Sequence, residues 1–467
     1  MQNKRMFRVV AVALLLACAG SAPLGAAPLN LSLDQAVTLA KKQNREIQIA
    51  RKQLEAAHGS VIEARAGYLP SVVSSGLLRK REQQEQSRLR GDDYNASLRV
   101  VQNVYTGGAV KGRMAIGRLN EAKRALELNA IIDRVSMDLR VAYYDLLLNR
   151  ANIDVRLQSV RVMEEELKSQ QDRFVAGTVG KLNVRRADVA LANEQPELID
   201  AQTRLQNSYL RLNELCGLES TAAAHAPRIE PSGRLEYQPR HPDLTECLAY
   251  ASVSRPEIRA REIDVEIEDQ QLIVDRSELR PRVEAFTGYE VYSERDPEVG
   301  SDFNHGYVVG LNASWHIFDG FATRGRMQAT RARRDAALHA LESAKLQVES
   351  DVRSAFFEIE QADRVLQSET QNVQNASESL EMARGNLGAG LGTQLDVLQA
   401  AADVTRTRTT RLSAIYLHNV AMARLARATA RTPAALGFGA KKQTPVEAKR
   451  HAQLFDVARP PAALDAR

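Results

Sequence analysis

The chain has 467 residues, of which 26% are charged and only 5% aromatic, with 1 Trp and 10 Phe. That balance excludes a single small domain and suits long solvated helices better than one thick globular core. The formal net charge is +5, but the basic excess sits in the first residues and in the tail 431–467, so it gives no argument for a nucleic-acid partner.

Residues 1–27 read as a secretory signal. Lys4, Arg5 and Arg8 are basic, Val9 to Ala17 is an apolar run, and small residues follow from Ala19 to Ala27,. The run is far shorter than the roughly 20 residues a spanning helix needs. The box Leu15-Leu16-Ala17-Cys18 leaves lipidation at Cys18 as an alternative processing route,. Cys216 and Cys247 either pair in an oxidising compartment or stay as buried thiols.

The remainder is an internal duplication, with repeat 1 over 28–217, a Pro/Ala/Ser-rich linker over 218–243, repeat 2 over 244–430 and a poorly packed basic tail over 431–467,. Leu33 to Pro70 aligns without gaps on Leu244 to Pro281. After a short loop the offset grows by two residues and then holds. Tyr105-Thr106-Gly107 falls on Phe318-Asp319-Gly320, Gly112-Arg113-Met114 on Gly325-Arg326-Met327, and Gly177 on Gly390.

Each unit opens with a helix, predicted from about Leu33 to Leu69 and ended by Pro70; Pro281 is its counterpart,. Two strands follow, flanking residues 83–93 in one copy and 293–305 in the other. Tyr94, Ala96, Leu98, Val100 and Val104 alternate with Asn95, Ser97, Arg99 and Asn103; Tyr307, Val309, Leu311, Ala313, Trp315 and Ile317 alternate in the same register. Period-two alternation makes one face apolar and one wet.

A very long helix is predicted from Gly112 to Phe174, and again after Gly325. Leu139, Leu146, Ile153, Val160, Leu167 and Phe174 recur every seven residues, and Val352, Ile359, Leu366, Val373, Leu380 and Leu387 match them, a coiled-coil seam. Glycine turns then reverse the chain, at Ala176 to Gly180 and at Gly388 to Gly392. The return helix carries Pro196, which predicts a kink. In the second copy Arg411 and His418 interrupt the return seam.

Four strands per chain cannot close a barrel, since even the smallest spanning barrels need about eight, and an open edge is not tolerated in lipid. Symmetric association of three chains would supply twelve. The 8 His show no HExxH spacing, and the glycine run at 388–392 lacks a preceding strand and a phosphate-binding lysine,. Glu164-Glu165-Glu166 reads as a solvated helix face. No catalytic, metal or cofactor site is expected. The rival readings are a periplasmic coiled-coil adaptor or scaffold without a barrel, and an outer-membrane enzyme.

The duplicated unit, the paired Pro70 and Pro281, Phe318-Asp319-Gly320-Phe321 with Arg324, and the turn Gly390 to Leu398 resemble the TolC-like outer-membrane factors over about Leu31 to Thr429. The resemblance implies a mixed α and β membrane protein: a homotrimeric duct with a 12-stranded barrel in outer-membrane lipid, continuous with a periplasmic α-helical barrel. It implies no chemistry, Pro70 and Pro281 as helix-to-barrel junctions, and docking of a periplasmic adaptor and an inner-membrane transporter at turns containing Gly177, Thr178, Gly180, Gly390, Gly392 and Thr393. It also implies a lumen constriction at Asp396. Gln399 stands where the family's next carboxylate would, Asn183 is the first-copy counterpart of Asp396, and Gly392 replaces an expected basic residue. The competing reading of Asp396 is a helix cap.

Overall fold

The computed structural model describes residues 29–80, 92–218, 229–293 and 303–431. The predicted signal with Cys18, residues 219–228 of the linker, both strand-connecting loops and the tail beyond 431 lie outside them. The elements run β1 (Leu29–Leu31), α1 (Leu33–Gln43), α2 (Arg45–Ala66), β2 (Ser71–Lys80), β3 (Asp92–Tyr105), α3 (Ala109–Val175), α4 (Lys181–Cys216), β4 (Ile229–Pro231), α5 (Leu244–Ser254), α6 (Pro256–Ser277), β5 (Arg282–Ser293), β6 (Phe303–Ser314), α7 (Ala322–Gly388) and α8 (Gln394–Ala428). The helices α3 and α7 have the same length, 67 residues, about 100 Å at 1.5 Å per residue.

The opening helix of each repeat is two helices, not the single one expected. The first repeat breaks at Asn44, whose ψ of 128° leaves the helical region. The second breaks at Arg255, with Pro256 at the first position of α6. A proline there starts a helix well but cannot continue one, and Pro256 was the overlooked signal. Neither helix reaches its junction proline. They end at Ala66 and Ser277, and Pro70 and Pro281 stand immediately before β2 and β5.

Two compact units cut across the repeats. One comprises 1–45, 134–241 and 354–427. Its core gathers Ala36, Val37 and Ala40 of α1, Leu139 and Leu146 of α3, Leu212 and Cys216 of α4, and Ile229 of β4. The short strands β1 and β4 pair in parallel, Leu29 opposite Ile229, and the Tyr143 hydroxyl donates to the Leu31 and Ser232 carbonyls at 3.1 and 2.7 Å. Pro196 lies inside α4, which runs unbroken through it. The α3 seam tightens at one end only: Leu139 is fully buried and Phe174 is 45% exposed.

His418, which breaks the heptad in α8, has a local purpose. The linker residues Leu235 and Tyr237 pack on Leu366, Ala414 and Ile415. The buried His418 ring meets the Gln238 carbonyl through Nε2 (3.1 Å) and the Asp363 carboxylate through Nδ1 (2.7 Å). Asn419 donates to the Glu236 carbonyl at 3.0 Å. A polar residue replaces a seam position because the linker carbonyls there need partners.

The other unit comprises 46–133, 242–353 and 428–467. It holds an antiparallel sheet of order β2-β3-β5-β6, in which β3 and β5 join the two repeats' hairpins. Helices beside it are tied by Leu126 against Ala260 and Ile263 and by ion pairs Lys123–Asp264 and Arg334–Asp269, both 2.6 Å.

Candidate functional site

The sheet has two unlike faces, and the strand register explains why. Leu98 lies opposite Tyr289, and Tyr289 opposite Tyr307. The same alternation carries Leu78, Val100, Val309 and Leu311 on one face. These side chains find no cover: Tyr307 is 92% exposed, Val309 82% and Leu311 71%. An exposed apolar patch this wide marks an interaction surface, for a membrane or for a protein partner. No helix among the described residues is long and apolar enough to cross a membrane.

The opposite face is mostly polar. Ser75 and Ser97 hydroxyls meet at 2.8 Å. Arg99 pairs with Glu290 across β3 and β5, and its guanidinium lies 5.3 Å above the Phe286 ring. Val73 and Leu77 share this face, half exposed at 47% each. Sequence reading placed Arg99 on the wet face; its partner Glu290 became visible only with the register. The strands β2 and β6 are the two edges of this sheet.

The junctions at Pro70 and Pro281 lie among carbonyls that the helix ends leave open. In the first, Asn103 donates to the Gly67 carbonyl at 3.1 Å and Gln102 to the Tyr68 carbonyl at 3.2 Å. In the second, the Trp315 indole donates to the Leu279 carbonyl at 3.1 Å. Side chains of β3 and of Trp315, just past β6, thus supply donors to three carbonyls around the junction prolines,.

The two helical hairpins end in matching turns. Gly177 and Gly390 have φ of 74° and 75°, left-handed values that favour glycine. The Gly177 amide donates to the Phe174 carbonyl and the Thr178 amide to the Arg173 carbonyl; Gly390 and Leu391 repeat this on Leu387 and Asn386. The turns differ at the next helix start. Gly180 caps α4 with no side-chain bond. Ahead of α8, the Asp396 carboxylate accepts from the Thr393 amide and hydroxyl, both at 2.8 Å, while the Asp396 amide donates to the Thr393 hydroxyl at 3.3 Å. This reciprocal cap holds the Asp396 carboxyl below the usual range, through the Thr393 amide and then its hydroxyl.

The buried Gln394 donates to the Asn183 carbonyl at 2.9 Å, which brings the two turns together. Asp396 and Gln399 are exposed and Asn183 half-buried. Gly392 lies close against Asn386, where a Cβ would stand 3.1 Å from that residue's own Cβ. Four apolar side chains at the turns are bare: Val175, Leu182, Leu391 and Leu395. Cys216 and Cys247 are both buried free thiols.

Comparison with known proteins agrees with this geometry. The family model described as outer membrane efflux protein matches residues 36–218 and 248–431. Protein CyaE of Bordetella pertussis is 24% identical over 85% of this chain and 84% of its own. The cobalt-zinc-cadmium resistance protein CzcC of Cupriavidus metallidurans is 23% identical over 81% and 85%. The crystal structure of the Campylobacter jejuni CmeC outer membrane channel superposes with a TM-score of 0.75 at 14% identity, covering 89% of each chain.

Proposed function

We infer an export duct from one premise: this chain belongs to the outer membrane efflux protein family. It resides in the outer membrane and extends into the periplasm. Three copies close their four-stranded sheets into one 12-stranded barrel, with the bare apolar face toward lipid and the Arg99–Glu290 face toward a wet lumen. The long helical hairpins form a periplasmic tube. Small molecules or proteins leave through it without chemical change, and no cofactor takes part.

The observation that carries this reading is the sheet itself, with an uncovered apolar face and two edges. A coiled-coil scaffold without a barrel would have no use for either. The turns around Gly177, Thr178, Gly180, Gly390, Gly392 and Thr393 offer bare apolar side chains to a periplasmic adaptor, through which an inner-membrane transporter delivers cargo. Asp396, with Gln399 and Asn183 beside it, sets the constriction. One carboxylate per chain around a threefold axis would bias passage toward cations, and a capping role does not remove its charge.

The test is the oligomeric mass of protein extracted from isolated outer membranes, by detergent size exclusion with light scattering. A trimer is the expected outcome. A soluble monomer or dimer in the periplasm would overturn the duct.

A further inference from the structure

Phe321 stands where its backbone resists it. Its φ is 67°, a left-handed value that is strained for a bulky side chain. Its ring is 64% exposed and packs edge-on against Phe318, itself 73% exposed, at 5.4 Å. The duplicated position in repeat 1 is Gly108, which has φ of 103° and no such strain.

The first-repeat junction shows what this corner touches. A Cβ on Gly108 would stand 3.5 Å from Ile273 Cγ2, one on Gly107 would stand 2.8 Å from the Ser277 carbonyl oxygen, and Arg280 donates to the Gly107 carbonyl at 2.9 Å. Within the chain, then, the glycine corner of repeat 1 seats on α6 of repeat 2. Among the described residues the corner of repeat 2 has no such seat: a Cβ on Gly320 would meet nothing within 4 Å. By the duplication, the counterparts of Ile273 and Arg280 are Ile62 and Leu69, which are 60% and 56% exposed.

We propose that Phe321 is a lock between copies of this chain: it seats on Ile62 and Leu69 of the partner subunit, as Gly108 seats on Ile273 and Arg280 within the chain. The proposal rests on the trimeric duct. Repeating the β3–β5 register between copies places Leu311 of β6 opposite Leu78 of the partner subunit's β2, on the same apolar face. A polar seat, Arg280 on a carbonyl, serves the contact inside the chain. An apolar seat, phenyl on Ile and Leu, serves the contact between chains, where buried apolar surface drives association.

The experiment is oxidative cross-linking of the full chain in native membranes, with Phe321→Cys and Leu69→Cys together and singly, and the extracted mass measured alongside. Covalent dimers and trimers from the double variant alone are expected. In parallel, Phe321→Gly relieves backbone strain, so the chain's own unfolding is not made easier, while subunits separate about tenfold faster in detergent on losing one phenyl contact. A trimeric mass without intermolecular links overturns the lock and leaves the duct standing. Quenching of a fluorophore at position 321 by spin-labelled phospholipid would also overturn the lock, with lipid as the true cover. Absence of any trimer removes both.

Discussion

Asn44 and Arg255 occupy the same position in the two repeats and break the same helix by different bonds. The buried Asn44 amide donates to the Leu215 carbonyl at 2.8 Å. The buried Arg255 guanidinium reaches Glu257 and Asp351, each at 3.2 Å. Asn44→Ala strands a buried carbonyl and should cost about 1–3 kcal/mol. Arg255→Ala leaves two carboxylates that are one-third exposed and can recover water, so a similar loss is expected in place of the larger cost of a wholly buried pair. Denaturant titration of each variant checks both values.

Gly177→Ala and Gly390→Ala place a Cβ in left-handed backbone with nothing within 4 Å. The cost is conformational, about 1 kcal/mol each. If the turns are the docking surface, adaptor capture should fall in both variants while trimer mass stays unchanged. Co-purification with the adaptor reads this.

The Asp396 carboxyl is held below its usual range by Thr393. A depressed folded value means the cap's contribution is complete above the ordinary aspartate range and is lost as pH falls below that range, through the depressed folded value. Amide protection at 393–396, corrected for intrinsic exchange, should hold at neutral pH and drop in acid. Asp396→Ala should lower cation preference in planar bilayers more than it disturbs assembly; loss of trimers with selectivity unchanged would count against the lumen role.

On the sheet's wet face, Glu290→Gln leaves Arg99 without its partner carboxylate. The reversal potential under a salt gradient should move toward anion preference, and Arg99→Gln should move it the other way. Stability changes little, because Arg99 is 41% exposed and exposed pairs contribute under about 1 kcal/mol.

Burial pushes the Cys216 thiol up to about 12, so at pH 8 only about one thiol in ten thousand is ionised. Alkylation at that pH should leave Cys216 unmodified in the folded chain and complete in denaturant. Mass spectrometry of the tryptic peptide decides it.

Much of this architecture is legible in the residues. The gapless match of Leu33–Pro70 to Leu244–Pro281, the seven-residue seam through Leu139 and Leu146, and the alternation through Tyr307, Val309 and Leu311 each express a local period, and local periods survive in sequence. The glycine turns were legible because only a left-handed residue reverses a helix so tightly. Of the candidate site, the turns and the wet face were readable, but the Arg99–Glu290 pair, the Gln394–Asn183 bridge and the bare apolar tips were not. Each depends on residues far apart in the chain.

The sequence by itself determined the duplication, the long helices with their reversing turns, and which side of β3 and of β6 is apolar, because these follow from spacing along one chain. Only the tertiary structure decided that Asn44 ends a helix, that His418 fastens the linker, and that β3 pairs with β5 so that two hairpins become one sheet. Those outcomes depend on which distant carbonyl or edge needs a partner, and a hydrogen bond between remote residues leaves no period to read.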